Sequence, residues 1–229
     1  MNRQLPLDLP HRTAQGRDVF LVTSANAAAV AWIDRWPDWP GSALVLHGPP
    51  GSGKTHLASV WRARAGAGLV EGPFLDPEAV PALLDADRSL VVEAADDAPE
   101  ASLLHLYNGI AERGLRLLLI SAEPPSRWGI GLADLRSRLA ALPVAAILAP
   151  DDRLIRAVLV KLFADRQQLN VSAELIDFIA LRIERSFAAV QRAVAAIDAA
   201  SLAAGKPIKI PLAERALREV GAIREEQGV

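Results

Sequence analysis

The sequence predicts an α/β fold, a parallel sheet sandwiched between two helical layers, followed by a smaller all-helical domain. Three observations lead there. Short, largely apolar runs (Ala43-Leu-Val-Leu46, Leu90-Val-Val92, Arg116-Leu-Leu-Leu-Ile120) alternate with longer stretches of helical periodicity, the pattern of buried parallel strands and crossover helices. The glycine-rich segment Gly48-Pro-Pro-Gly-Ser-Gly-Lys54-Thr55 follows the first of these runs and opens a helix. Beyond Pro150-Asp151-Asp152 the chain reads as helix only.

Taken in order, residues 1–16 form a polar, proline-punctuated tail without helical periodicity. A helix is expected from Ser24 to Trp36, capped by Ser24 or Asn26 and ended by the turn Pro37-Asp-Trp-Pro-Gly41. After the glycine-rich segment, Thr55 to Ala65 reads as a helix closed by Gly66. Ala101 to Arg113 carries Leu103, Leu104, Leu106 and Ile110 on a helical period and is closed by Gly114. A further strand is expected near Val144 to Leu148. Helices are then expected over 152–168, 173–185 and 187–204, with Ser172 and Ser186 as caps and Gly205 as the last closure. A final helix begins near Pro211. The domains so read are a flexible tail over 1–16, an α/β domain over 17–150 and a helical lid over 151–229.

Composition narrows the function classes. Among 229 residues 51% are apolar and 23% charged, which is globular composition. With 25 basic against 27 acidic residues the net charge is −2, so no global positive field recruits nucleic acid. The absence of cysteine excludes disulfides and thiolate metal sites. No secretory signal and no run of membrane-spanning length is read, and a cytoplasmic protein is expected.

The spacing Gly48-x4-Gly53-Lys54-Thr55 has a mechanism. Small residues let the backbone N–H groups of Gly48, Pro49, Pro50, Gly51, Ser52 and Gly53 (the prolines excepted) turn toward a β-phosphate, and the following helix N-terminus adds partial positive charge. Lys54 reaches the β- and γ-phosphates, the Thr55 hydroxyl holds Mg²⁺, and His56 follows in the first helical turn. The cofactor expected is ADP or ATP with Mg²⁺. The acid at the end of the next core strand is Glu93, a candidate magnesium ligand, but Ala94 stands where a second, water-orienting acid is usual. Asp96 is either a substitute for that acid or, with Asp97, part of a solvated loop. Weak hydrolysis by the chain itself is expected.

Together with the glycine-rich loop, His105-Leu-Tyr-Asn108, Ser121-Ala-Glu-Pro124-Pro125, Gly131-Leu-Ala-Asp-Leu-Arg-Ser137-Arg138-Leu139 and the helical tail resemble the AAA+ module of the bacterial initiator DnaA, from about Val19 onward. Preceded by Gln4-Leu-Pro-Leu-Asp-Leu9, the whole is similar to the Hda family, regulatory inactivators of DnaA that join a clamp-binding hexapeptide to an AAA+ module. The resemblance implies a P-loop NTPase core and a lid. It implies that Gln4, Leu5, Leu7 and Leu9 dock on the sliding clamp of DNA polymerase III (its beta subunit), and that Arg138 is an arginine finger acting in trans on ATP held by DnaA. DNA would be met only through the clamp, at the replisome or nucleoid, with homo-oligomerisation open. The chain departs from the family pattern at Glu93-Ala94, at Ala122 in place of a polar sensor (Ser121 is the nearest stand-in), and at Ala188 where the lid's sensor arginine falls, with Arg185 and Arg192 a turn away.

Other readings stay open. Arg138 also reads as a surface cation beside Asp134, and Trp32, Trp36, Trp39, Trp61 and Trp128 as core rather than base-stacking residues. Arg182, Arg185, Arg192 and Arg218 read as a solvated face or as phosphate contacts. The alternative functions are a loader or targeting P-loop ATPase of replication and, further off, a small-molecule kinase.

Overall fold

The computed structural model describes residues 11–12, 20–166 and 171–222. The chain divides into two compact units, 1–148 and 149–229. In the first, β3 (Ala43–His47), β4 (Gly68–Glu71), β5 (Leu90–Glu93), β6 (Leu117–Ser121) and β7 (Val144–Ala146) form a five-stranded sheet in the order β4-β5-β6-β3-β7. All its pairings are parallel: Val45 faces Leu119 on one side and Val144 on the other, and Val92 also faces Leu119. A two-residue pair, β1 (His11–Arg12) with β2 (Phe20–Leu21), stands apart from it, so two residues of the expected tail are in antiparallel pairing.

The helices are α1 (Ala27–Asp34), α2 (Lys54–Ala65), α3 (Ala79–Asp85), α4 (Glu100–Glu112) and α5 (Ala133–Ala140). Strand alternation sorts the core into two layers. Leu44 and Leu46 of β3 pack with Val30 and Ile33 of α1 and Leu57 and Trp61 of α2. Ala43 and Val45 face the other way, toward Val80 and Leu84 of α3, Leu103 and Leu106 of α4, and Leu135 and Leu139 of α5. Four of the five tryptophans belong to the first layer and Trp128 to the second. Trp61 is fully buried, stacked on Trp39 at 5.2 Å and edge-on to Trp36 at 6.5 Å, which accounts for these rings as core.

The sequence reading did not anticipate β4, α3 or α5. The strand β4 is a sheet edge with Leu69 exposed, and its two apolar residues between Gly68 and Glu71 do not stand out as a buried run. The helix α3 has Pro81 as its third residue, where the missing N–H has no intrahelical partner to lose. The helix α1 is shorter than expected, because Asn26 Oδ1 accepts from the Thr23 N–H at 2.8 Å instead of capping forward.

The second unit holds α6 (Asp152–Asp165), α7 (Ala173–Arg182), α8 (Phe187–Ala204) and α9 (Ile210–Glu219). Side-chain caps start three of them: Asp151 accepts from Leu154 N–H, Ser172 from Leu175 N–H and Ser186 from Ala189 N–H. The helix α7 ends three residues before the expected 185, because Ile183 turns extended ahead of the Ser186 cap. The expectation that no run reaches membrane-spanning length is corrected by α8. Its 18 residues of mean hydropathy 1.3 are long and apolar enough to cross a membrane by length and composition. Here it packs against α6 and α9, with Val190, Ala193, Val194 and Ile197 buried.

Trp61→Ala should cost about 3–5 kcal/mol, the range for truncating a large buried aromatic. Urea unfolding followed by circular dichroism checks this; a loss below about 1 kcal/mol would mean that the three-ring contact carries little of the first layer's stability.

Candidate functional site

The strand β3 occupies the point in the sheet where the connections diverge: the chain leaves it for the far edge, returns through β5 and β6, then crosses to β7 on its other side. Open α/β sheets place ligand crevices at the carboxyl ends of strands at such a point. Here that end is His47, followed at once by the glycine-rich loop.

The loop's shape is set by lack of room. A Cβ on Gly48 would lie 2.2 Å from the Ile147 carbonyl oxygen, so only glycine permits this backbone approach. Gly53, at φ +101°, makes the left-handed turn into α2. Ser52 N–H donates to the Pro49 carbonyl at 3.3 Å, while Ser52 Oγ is buried with no hydrogen-bond partner among the described residues. Lys54 Nζ donates to the carbonyls of Gly48 at 2.6 Å and Pro49 at 3.0 Å, which folds the side chain back over the loop. Pro50 and Gly51 form its exposed crest, and His56 lies in the first turn of α2. An orphaned hydroxyl, a lysine folded back onto the loop carbonyls, and a backbone approach that a Cβ at Gly48 would block fit a phosphate group.

The acidic residues converge on the same lysine. Thr55 Oγ1 donates to Glu93 Oε2 at 3.2 Å, bringing together the two candidate magnesium ligands from α2 and the end of β5. Ala94 adopts a left-handed conformation, φ +48°, and turns the chain into the short 3₁₀ segment Ala95–Asp97. That turn brings Asp96 back to the site. Its Oδ2 accepts from the Ala122 N–H at 3.3 Å, at the tip of β6. Burial pushes the Lys54 ammonium below the usual lysine range, opposed by the carboxylates of Asp96 and then Glu93. Of the two readings of Asp96, the Ala122 hydrogen bond supports the substitute acid, while the exposed Asp97 is placed as a loop residue would be. The sequence signal for Asp96 was weak, since the left-handed alanine that re-aims the chain leaves no compositional mark.

The stand-in sensor is otherwise occupied. Ser121 is buried and its hydroxyl donates to the Glu123 carbonyl at 2.8 Å. In the helical unit, Arg185 pairs with Asp152 at 2.8 Å and Arg192 with Glu184 at 3.9 Å, so both arginines near Ala188 have carboxylate partners. Arg138 lies on α5, its Nε donating to Asp134 Oδ1 at 3.0 Å, with its side chain 39% exposed. Gln4, Leu5, Leu7 and Leu9 lie outside the described residues.

No protein-family model matches the chain. Over 230 residues the sequence is 29% identical to the chromosomal replication initiator protein DnaA of Thermomicrobium roseum, covering 88% of this chain and 48% of that protein. The structure superposes on domain III of the Thermotoga maritima replication initiation protein DnaA with a TM-score of 0.73 at 18% identity, over 90% of this chain and 95% of that one. The fold is that of a DnaA-like AAA+ module. It also superposes on AMPPCP-bound DnaA from Aquifex aeolicus, with a TM-score of 0.69 at 15% identity, over 87% of this chain and 68% of that one. The chain thus spans about half the length of the curated relative it matches. The likeness is one of fold, with the five-stranded parallel sheet and the loop at its switch point as its frame at 18% identity.

His47 supplies a pH test of this module. Burial, with help from Lys54 and Arg127 and against Glu123, lowers its pKa below the ordinary 6.5. The unfolded chain therefore takes up this proton first as pH falls. The His47 contribution to stability is complete above about pH 6.5 and declines below it, by at most about 1.4 kcal/mol per pH unit. His47→Gln should flatten the decline between pH 7 and 5 in urea unfolding; an unchanged slope would mean that other groups set the acid sensitivity.

Proposed function

We propose that this chain is an adenine-nucleotide-binding AAA+ regulator of replication initiation, of the Hda type: it binds ADP or ATP with Mg²⁺, tethers to the sliding clamp, and promotes hydrolysis of ATP held by DnaA. The observation that carries the reading is the pairing of a complete phosphate cradle with an incomplete hydrolytic set. Lys54, Ser52 and the loop N–H groups would receive the phosphates, and Thr55 with Glu93, 3.2 Å apart, would hold the metal. Magnesium, when bound, neutralises charge on the phosphate oxygens. Ala94 occupies the place of the water-orienting acid, and the Ser121 hydroxyl is committed to a carbonyl. Such a module keeps nucleotide for its shape and lends an arginine to a partner.

The work of Arg138 in that partner is electrostatic. As a γ-phosphoryl group departs, charge accumulates on oxygens that the partner's lysine and metal neutralise only in part. A planar guanidinium inserted from outside completes the neutralisation and excludes water, an effect worth about 10³–10⁵ in rate, or roughly 4–7 kcal/mol of barrier. A surface ion pair such as Arg138–Asp134 is worth only about 0–1 kcal/mol, so the two roles of Arg138 separate cleanly by magnitude. The tail offers Gln4 for hydrogen bonding and Leu5, Leu7 and Leu9 for a pocket, as an extended peptide on the clamp.

A second reading has one observation in its favour. Asp96, held by the Ala122 N–H at the tip of β6 and acting electrostatically in favour of the Lys54 ammonium, favours a replication ATPase that turns over its own nucleotide, in the manner of a loader. Intrinsic turnover on the order of 1 s⁻¹ or faster would select it.

Three expected outcomes test the first reading. Lys54→Ala should weaken ADP binding by tenfold or more in calorimetry, since charge-assisted phosphate contacts are worth about 1.5–3 kcal/mol each; equal affinity in variant and wild type removes the nucleotide from the account. In a reconstituted assay with DnaA and DNA-loaded clamps, Arg138→Ala and Arg138→Lys should both abolish stimulated ATP hydrolysis while leaving ADP affinity intact. Deleting residues 1–10 should abolish co-elution with the clamp; retained co-elution overturns the tether, and wild-type stimulation by either Arg138 variant overturns the finger.

A further inference from the structure

The helix that carries Arg138 lacks the means to position itself. The helix α5 has eight residues, and its N-cap residue, Leu132, provides no side-chain cap. A helix of that length is marginal by itself in water. Its start is fixed from elsewhere. Glu100, in the first turn of α4, accepts from the Gly131 N–H at 2.9 Å through Oε1 and from the Leu132 N–H at 2.7 Å through Oε2. One carboxylate thus closes the last two N–H groups before α5, across 31 and 32 residues of sequence. Those two bonds hold the Glu100 carboxyl below the usual glutamate range. Leu135 and Leu139 then bury one face of α5 in the layer that contains Leu103 and Leu106 of α4.

Arg138 flanks that face, part-exposed, and two further groups confine its guanidinium. Asp134, one turn back, accepts from Nε at 3.0 Å. Tyr107 of α4 lies beneath, with its ring centroid 5.8 Å from the guanidinium carbon, within cation–π range. The choice of nitrogen matters. Arg127 and Arg218 tie a terminal nitrogen to their carboxylates. In Arg138 the pair uses Nε, and neither terminal nitrogen has a hydrogen-bond partner among the described residues. The planar edge that binds two phosphate oxygens at once is left available on an otherwise restrained side chain.

We propose that Glu100, Tyr107 and Asp134 are positioning residues that fix the Arg138 guanidinium with its terminal nitrogens available for a phosphoryl group held by another protein. The proposal rests on the trans-acting role of Arg138 set out above and adds what makes that arginine effective. A finger must meet a transition state within about an ångström, and misplacement by that much costs on the order of a hundredfold in rate. Restraining the side chain before docking also removes rotamer freedom that would otherwise be lost in the complex.

The test uses the full chain in the same reconstituted hydrolysis assay, separating maximal stimulated rate from the half-saturating concentration. Glu100→Ala and Tyr107→Ala should each lower the maximal rate at least tenfold with half-saturation unchanged. Tyr107→Phe, which keeps the ring, should restore the rate; Glu100→Gln, which keeps one acceptor oxygen, should fall between Glu100→Ala and wild type. Thermal midpoint and ADP affinity report folding, and if Glu100→Ala does not fold, Glu100→Gln and Tyr107→Ala decide. Wild-type maximal rates in folded Glu100 and Tyr107 variants, with Arg138→Ala inactive, overturn the positioning set alone. A change confined to half-saturation overturns it too, since it would mark a docking surface. Wild-type stimulation by Arg138→Ala overturns the finger itself and the positioning set with it.

Discussion

The backbone of Gly48 runs so close to the carbonyl of Ile147 that no side chain fits between them. That approach exists because β3 is clamped by parallel pairing to β6 on one side and β7 on the other, so its end cannot splay. The first residue after the strand is forced against the neighbouring chain, and the loop must double back before α2 begins. The positions of Lys54, Thr55 and the loop N–H groups all follow from that crowding, as does burial of Ser52. Glycine at position 48 is a consequence of sheet topology as much as of phosphate chemistry.

Charge organises what the sheet brings together. Lys54 is held in a partly desolvated place where burial works against its ammonium, and the acids Asp96 and Glu93 offset this. The two arrive by different routes: Glu93 by the straight run of β5, Asp96 by a left-handed turn at Ala94 that reverses the chain. A left-handed alanine carries a backbone cost of about 1–2 kcal/mol, and the segment is braced by close packing of Gly72 against the Ala94 carbonyl. The same turn that leaves no water-orienting acid directly after Glu93 delivers an acid three residues later.

A second organising centre lies on the opposite helical layer. The helices α4 and α5 share a core through Leu103, Leu106, Leu135 and Leu139, and Glu100 bridges their N-terminal ends. Arg138 therefore stands on a braced element, as the directional task proposed for it would require. Likeness to DnaA domain III at 18% identity fixes the scaffold but not these contacts, which have to be read from this chain's own atoms.

Sequence alone determined what depends on local or short-range rules. The phosphate loop is legible because its glycines, lysine and threonine act through fixed spacing on one turn of backbone. The central strands are legible because burial on both faces demands unbroken apolar runs, and the helical unit because Ser172, Ser186 and Gly205 mark its boundaries. Tertiary structure decided the rest. The edge strand β4 is held by pairing with β5 rather than by its own composition, and α3 tolerates Pro81 because the proline falls in its first turn. Asp96 reaches the tip of β6 through one unusual dihedral, and Glu100 reaches the start of α5 through hydrogen bonds spanning some thirty residues, neither of which has a period or spacing to detect. Chemistry carried by consecutive residues is written in their order, while chemistry assembled across the fold exists only once the sheet has placed its strands side by side.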